Sequence, residues 1–253
     1  MKIALSTVLI ICLLLFNHLL FAQQDTIVVR KNIVKFNFTS IVLQHYSAQY
    51  EHLIGKRQSL GIGFGVSPNV SIPFKHTLLE KYGGSDDTRR AIEATKLNKI
   101  SITPEYRFYL GKKDAPTGFY IAPFARYMHM EIDQDYLLTT EDNSLYVAHV
   151  NGKLNGVGGG ILLGAQWALS KHFTFDWFII GPFIGSLHSS IKGTGDMSNL
   201  SDDDKAYIKD EIESVDIPLW DINATVDNDI VDIKVKGPFY GVRAFGFNIG
   251  YRF

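Results

Sequence analysis

The chain is almost without cysteine: its single one, Cys12, lies inside an apolar stretch at the N-terminus. With none after residue 12, neither a disulfide framework nor a thiolate metal site is open to the rest of the chain. Charge of one sign is not in excess either. The 25 basic residues stand against 26 acidic ones, for a formal net charge of −1. A global basic surface for nucleic acid is thereby excluded. Beyond the N-terminus no apolar run is long enough to read as a helical membrane span. Aromatic residues and glycine are plentiful instead, with 12 Tyr, 17 Phe and 22 Gly. That blend suits pleated strands with aromatic girdles better than a helical domain. The mean hydropathy of +0.03 is where alternating barrel strands average out. A length of 253 residues fits a single all-β domain.

Met1-Lys2 is followed by an apolar run, Ile3 to Phe16, then Asn17 to Leu20 and Phe21-Ala22-Gln23-Gln24. One charge, an apolar centre and a small residue before a polar start predict a secretory signal peptide over 1–22. Residues 23–253 are then the mature domain. Loss of Lys2 takes the basic count from 25 to 24 against 26 acidic residues, a net charge of −2. The alternative is an uncleaved anchor helix, because the run approaches the ~18 apolar residues that a span needs. Cys12 follows Leu9-Ile10-Ile11 with no small residue before it, unlike a lipidation cysteine.

In Leu60-Gly61-Ile62-Gly63-Phe64-Gly65-Val66, the apolar residues share one face of a strand and the glycines the other. Seven other segments alternate in the same way: 32–42, 43–54, 98–110, 118–131, 154–168, 173–187 and 237–253. In 98–110, Ile100, Ile102, Tyr106 and Phe108 oppose Ser101, Thr103, Glu105 and Arg107. In 173–187, Phe173, Phe175, Trp177 and Ile179 oppose Thr174, Asp176, Phe178 and Ile180. The last segment sets Phe245, Phe247, Ile249, Tyr251 and Phe253 against Ala244, Gly246, Asn248, Gly250 and Arg252. Such runs exceed the usual globular strand of about 5–6 residues and match the ~9–11 tilted residues of a bilayer crossing.

The links alternate as well. Gly55 to Gln58, Gly111 to Thr117 and Ser170 to His172 are tight polar turns, whereas 67–97, 132–153 and 188–236 are long. A very short link near Gln44-His45 joins the first two strands. Short turns on one side and long loops on the other mark an outer-membrane barrel. The expected fold is therefore all-β: an eight-stranded antiparallel up-and-down transmembrane β-barrel with long extracellular loops and periplasmic termini.

Four segments carry a family resemblance: Ser47-Ala48-Gln49-Tyr50-Glu51-His52, Pro104-Glu105-Tyr106-Arg107-Phe108-Tyr109, Gly118-Phe119-Tyr120-Ile121-Ala122-Pro123 and Gly164-Ala165-Gln166-Trp167. They resemble a domain-of-unknown-function family of small Gram-negative outer-membrane barrels, with the eight-strand architecture of the OmpA and OmpX type. The resemblance covers nearly all of the mature chain except the long loops. It implies fold and location, and no established activity. Gly250-Tyr251-Arg252-Phe253 also resembles the C-terminal signal read by the barrel-assembly machinery, with Tyr251 and Phe253 as its aromatic positions.

Alternation turns six charged residues inward: Lys35, Glu51, Glu105, Arg107, Arg126 and Asp176. Three of each sign near the short turns predict a paired network in the periplasmic half, since an unpaired charge in a narrow lumen is costly. An eight-strand barrel is just wide enough for its own side chains to fill, which argues against an open pore. A gating role for Glu105, Arg107 and Asp176 is the alternative to structural pairing. The glycines of 61–65, 158–164 and 246–250 leave room for Tyr109, Phe124 or Met128, or for a small ligand cavity.

Enzymatic barrels need a nucleophile beside a base. His188-Ser189-Ser190, His129 and His149 are the candidates, and none has a carboxylate at an assured position. The loop 188–236 holds twelve acidic residues against five lysines. Ser201-Asp202-Asp203-Asp204 reads as the start of a short helix towards Ser214. Asp86-Asp87-Thr88 similarly caps one through Lys96. Asp227-Asn228-Asp229 and Asp232 lack the glycine and terminal glutamate of the known calcium loop, so a solvated acidic loop is favoured over a metal site. Gly156 to Gly160 lie within a strand and have no phosphate-loop lysine. Trp167, Trp177, Tyr106, Phe108, Tyr251 and Phe253 fall at one depth, as an aromatic belt would.

The expected function is a non-enzymatic outer-membrane barrel with a structural or surface-interaction role, without cofactor or metal. A narrow channel or small-ligand carrier is the alternative, and a membrane lipid-modifying enzyme the third reading. The implied partners are outer-membrane lipid, the barrel-assembly machinery, and an extracellular ligand or protein met through the loops, with no nucleic acid.

Overall fold

A computed structural model describes residues 30–71, 75–84, 86–139, 145–195, 198, 200–215 and 217–253. The chain divides into Met1–Arg30 and Lys31–Phe253. The expected signal peptide over 1–22 lies outside the described residues, and the architecture below is that of the second unit. No helix among the described residues is long and apolar enough to cross a membrane, which leaves strands out of account.

The unit is all-β, with nine antiparallel strands in one sheet. They are β1 Asn32–Asn37, β2 Tyr46–Gly55, β3 Gln58–Ser71, β4 Lys96–Tyr109, β5 Gly118–Thr139, β6 Leu145–Ala168, β7 Phe173–Thr194, β8 Asp221–Val226 and β9 Ile230–Arg252. Consecutive neighbours pair from β1 to β7, β7 pairs with β9, and β9 returns to β1, so eight strands close a ring. The closing ladder runs from Ile33↔Arg252 to Asn37↔Asn248. Closure removes the open edges that a flat sheet would expose. β8 stands outside the ring and pairs only with the first part of β9, from Val226↔Val231 to Asp221↔Lys236.

Strand forms within each of the eight expected segments, but the first is cut short: β1 ends at Asn37 rather than 42, because the Asn37 side chain accepts from the Ser40 amide and the chain winds into a 3-10 turn over Ser40–Leu43. The link to β2 is therefore Phe38 to His45 and not a very short turn near Gln44-His45. Three further differences have physical causes. The link 132–153 is mostly strand and the link 188–236 is strand at both ends: β5 and β6 stay paired to Thr139↔Leu145, and β7 and β9 to Thr194↔Ile230. The extension of β9 does alternate, with Val231, Ile233 and Val235 against Asp232, Lys234 and Lys236, but it lies beside an acidic stretch, and on β7 Ser189, Ser190 and Lys192 break the contrast between faces. β8 is an added strand. Third, inward and outward faces exchange part-way along β7 and β9. Leu163 pairs with Ile180 but Gly164 with Phe178, so Ile179 is an extra residue on β7. Such a bulge reverses the side-chain parity beyond it. Ile180, expected inward, is exposed, and so is Ala244. On β9 the change is absorbed at Phe245, whose φ of 52° lies in the left-handed region.

Helices occupy the long links at the end of the ring away from the termini. They are α1 Lys75–Tyr82, α2 Asp86–Ala94 and α3 Asp202–Glu213. The start of α3 follows from Ser201. Its Oγ accepts from the Asp204 amide while the Asp204 carboxylate accepts from the Ser201 amide, a capping box with three aspartates at the positive helix end. α2 stops at Ala94, short of the expected Lys96, because Lys96 opens β4.

Candidate functional site: a charged cluster inside the ring

Alternation along β1, β2, β4 and β7 points Lys35, Glu51, Glu105, Arg107 and Asp176 inward, and all five are essentially inaccessible to solvent. They meet in one cluster. Lys35 Nζ lies 2.5 Å from Glu51 Oε2 and 2.7 Å from Asp176 Oδ2. Arg107 donates from Nε to Glu105 Oε1 at 2.5 Å and from Nη1 to Asp176 Oδ2 at 2.8 Å. The remaining donors and acceptors are taken up by neutral side chains. Lys35 also donates to Gln166 Oε1 at 2.7 Å, and Arg107 Nη2 donates to Gln49 Oε1 at 3.0 Å. Ser59 and Tyr109 each donate to Glu51 Oε1 at 2.5 Å, and Tyr120 donates to Asp176 Oδ1 at 2.9 Å. The Arg107 guanidinium carbon sits 4.3 Å from the Tyr120 ring centroid, a geometry in which a cation is attracted by the ring face.

A sixth charge belongs to this group and was missed by strict alternation. Arg243 Nη1 donates to Glu105 Oε2 at 3.1 Å, and its guanidinium carbon is 4.8 Å from the Phe124 ring centroid. The face exchange at Phe245 carries Arg243 inside. Val242 and Phe245 are three apart and both outward, which an unbroken strand forbids and which only the backbone reveals. With Arg243 the cluster holds three cations and three carboxylates. Arg126, by contrast, faces inward without joining it: both oxygens of Glu105, one residue pair away along the strands, are already held by Arg107 and Arg243.

Space for the cluster comes from small residues. A Cβ at Gly61 would press on Glu105 Cγ at 3.0 Å, and one at Gly164 would collide with the Tyr120 ring. Beneath the charges, towards the short turns, Ile33, Leu53, Tyr109, Ala115, Ala122 and Leu162 form an apolar floor. The interior at this level is filled.

The outer face has the opposite chemistry. A continuous run of rings crosses three strands: Trp167–Phe175 at 5.9 Å, Phe175–Phe247 at 5.8 Å and Trp177–Phe247 at 6.0 Å between centroids. Phe173–Tyr251 and Tyr251–Phe253 extend it at 5.8 and 6.4 Å. Tyr251 and Phe253 therefore sit at the closing seam, where the Phe253 amide donates to the Asn32 carbonyl at 2.9 Å.

The histidines are scattered. His188 is exposed on β7, and no carboxylate lies within ion-pair distance of it among the described residues. His129 Nδ1 is 2.8 Å from Asn155 Oδ1. His149 Nδ1 is 2.7 Å from Asp135 Oδ1 on the β5–β6 extension, and that hydrogen bond, with the charges of Asp133 and Asp135, raises its pKa above the ordinary histidine value. His45 contacts Ser67 Oγ at 2.7 Å, a serine–histidine pair with no third, carboxylate member among the described residues. Lys205 donates to Asn228 Oδ1 at 2.6 Å, tying α3 to the β8–β9 turn. No grouping of three or more potential metal ligands occurs among the described residues.

A closed antiparallel ring with ionic pairs inside and rings outside defines a class by architecture. The chain belongs to a family of proteins of unknown function, DUF3575, whose match covers residues 8–209. No curated protein and no solved structure matches it.

Proposed function

We propose that this protein is an eight-stranded outer-membrane β-barrel. It is exported by a cleaved signal peptide and closed to ion flow by its charged cluster. Its role is non-enzymatic, as a structural scaffold or a display for extracellular recognition. One observation carries the reading: polarity is inverted relative to a water-soluble protein. Phe64, Ile161 and Val242 are 50%, 55% and 59% exposed, while Lys35, Glu51, Arg107 and Asp176 are 0% exposed. Apolar surface of this extent in water marks an interaction face, and a belt of it around a closed ring fits hydrocarbon.

The orientation follows from lengths. The short turns and both ring termini fall at one end, the periplasmic one. β5, β6, β7 and β9 run 22, 24, 22 and 23 residues, about twice the ~9–11 that a crossing needs. Their far halves therefore rise above the membrane with α1, α2, α3 and β8, and present the surface on which a partner would be met. Outer-membrane lipid surrounds the belt, and the barrel-assembly machinery reads Tyr251 and Phe253 during insertion.

The test is gel migration of the membrane-extracted protein with and without heating, followed by single-channel recording in planar bilayers. A fast-migrating unheated form and no steady open-pore conductance are expected. A water-soluble monomer without detergent overturns the membrane assignment, and a stable ohmic pore overturns the closed interior.

A further inference from the structure

Above the charged cluster the ring is not filled. A cavity of about 600 Å³ opens there, within the 300–1,000 Å³ typical of small-molecule sites. Lys99 from β4, Arg126 from β5 and Arg243 from β9 line it, and no carboxylate does. Arg243 is half-neutralised by Glu105 below. Lys99 and Arg126 have neither an ion-pair nor a hydrogen-bond partner among the described residues, and Arg126 Nε is buried and unpaired. A second, neutral donor is also left over. Gln49 is 6% exposed and lines the cavity floor, its Oε1 held by Arg107 while its Nε2 donates to nothing. Buried donors and cations without acceptors are costly, so a cavity that gathers them is completed by an anion.

The shape says more. Phe178, Phe183 and Phe239 form one wall, and the Arg126 guanidinium carbon is 5.8 Å from the Phe183 centroid. An inorganic ion alone leaves these rings uncovered. The wall of the ring is also lowest here, because β1 ends at Asn37 and only Phe38 to His45 connect it to β2. Beyond Gly246, β9 keeps β7 on one side but has lost β1 on the other. The cavity therefore has a way in at the link between β1 and β2.

The geometry points to an anion-binding site for a phosphate monoester with an apolar or aromatic body. The phosphate sits between Arg126 and Lys99, accepting from Gln49, and the body lies against Phe183 and Phe239. Two uncompensated cations match the charge of a phosphate dianion, and arginine suits its planar bidentate recognition. A dissolved organic phosphate and the phosphate of a membrane lipid share this chemistry.

Titration of the purified barrel in uncharged detergent with phenyl phosphate, followed by calorimetry, tests the assignment. Saturable binding is expected, weakened at least tenfold by Arg126→Met and by Lys99→Met. Both variants should keep the wild-type difference between heated and unheated migration, since neither residue joins the charged cluster. Competition by phosphatidic acid nanodiscs, against zwitterionic ones, identifies a lipid as the natural source; no competition identifies a solute. Absence of saturable binding in the wild type, or equal binding by folded Arg126→Met protein, overturns the proposal. Either result leaves the conductance outcome of the closed-barrel reading untouched.

Discussion

Replacing Arg107 with methionine is the sharpest test of how the interior is held together. The wild-type cluster balances Lys35, Arg107 and Arg243 against Glu51, Glu105 and Asp176. Methionine fills much of the arginine stem's volume but removes the contacts to Glu105 at 2.5 Å and to Asp176 at 2.8 Å. It also strands the amide oxygen of Gln49. Three carboxylates then share two cations in a space closed to water, and removing one partner of a buried pair costs about 3–5 kcal/mol. Arg107→Lys keeps the charge but not the fork that reaches both carboxylates, so a loss of about 1–3 kcal/mol is expected. The pair Arg107→Met with Asp176→Leu restores balance, leaving Lys35 with Glu51 and Arg243 with Glu105. Its destabilisation should fall short of the sum of the two single losses by about 1–3 kcal/mol. Urea unfolding of the protein in lipid vesicles, read by tryptophan emission, measures all four. A single Arg107→Met variant within about 0.5 kcal/mol of wild type, the range of an ordinary surface change, would show that the cluster does not stabilise the fold. So would strict additivity in the double variant.

Other consequences follow from separate parts of the molecule. Gly164→Leu should block folding or lower the unfolding free energy by about 1–3 kcal/mol, because its side chain meets the Tyr120 ring; a wild-type urea midpoint refutes the packing. The raised pKa of His149 predicts an NMR titration midpoint above the ordinary 6.5, returning towards it in Asp135→Asn. The stabilisation from that contact is complete below the unfolded histidine's pKa and disappears as pH rises through the raised value. An unchanged midpoint in the variant removes Asp135 as the cause. Ser201→Ala should weaken α3 locally by about 1 kcal/mol, seen as faster amide exchange across Asp202–Glu213 with the ring unaffected. Deleting Tyr251 to Phe253 removes the Phe253–Asn32 hydrogen bond and the Ile33↔Arg252 step of the seam, and should sharply lower the yield of the heat-modifiable form; normal yield denies these residues a part in closure.

Where outward-facing and inward-facing residues differ in kind, the sequence was readable. The alternation of Ile100, Ile102, Tyr106 and Phe108 with Ser101, Thr103, Glu105 and Arg107 located β4, and its inward members include two of the six charged residues of the cluster, Glu105 and Arg107. Where that contrast ends, so did legibility. Asp133-Gln134-Asp135 and Ser189 to Gly193 are strands with mixed faces, and Asp221–Val226 is a short strand inside an acidic loop. Arg243 was hidden by the backbone at Phe245, a conformation that single-residue patterns do not announce. Arg126 faces inward as alternation requires, but pairing depends on height along the strand and on competition for Glu105. Both are three-dimensional facts.

The seam between β1 and β9 has a temporal meaning. Lys35 belongs to the first strand of the ring, yet one of its two carboxylate partners, Asp176, arrives on the seventh. The strand that must close against it is the last. While the chain is unfinished, the earliest strand waits with an ammonium group only partly compensated. Sealing the cylinder and neutralising its interior are thus one event, and a polypeptide stalled before that point advertises its incompleteness through charge.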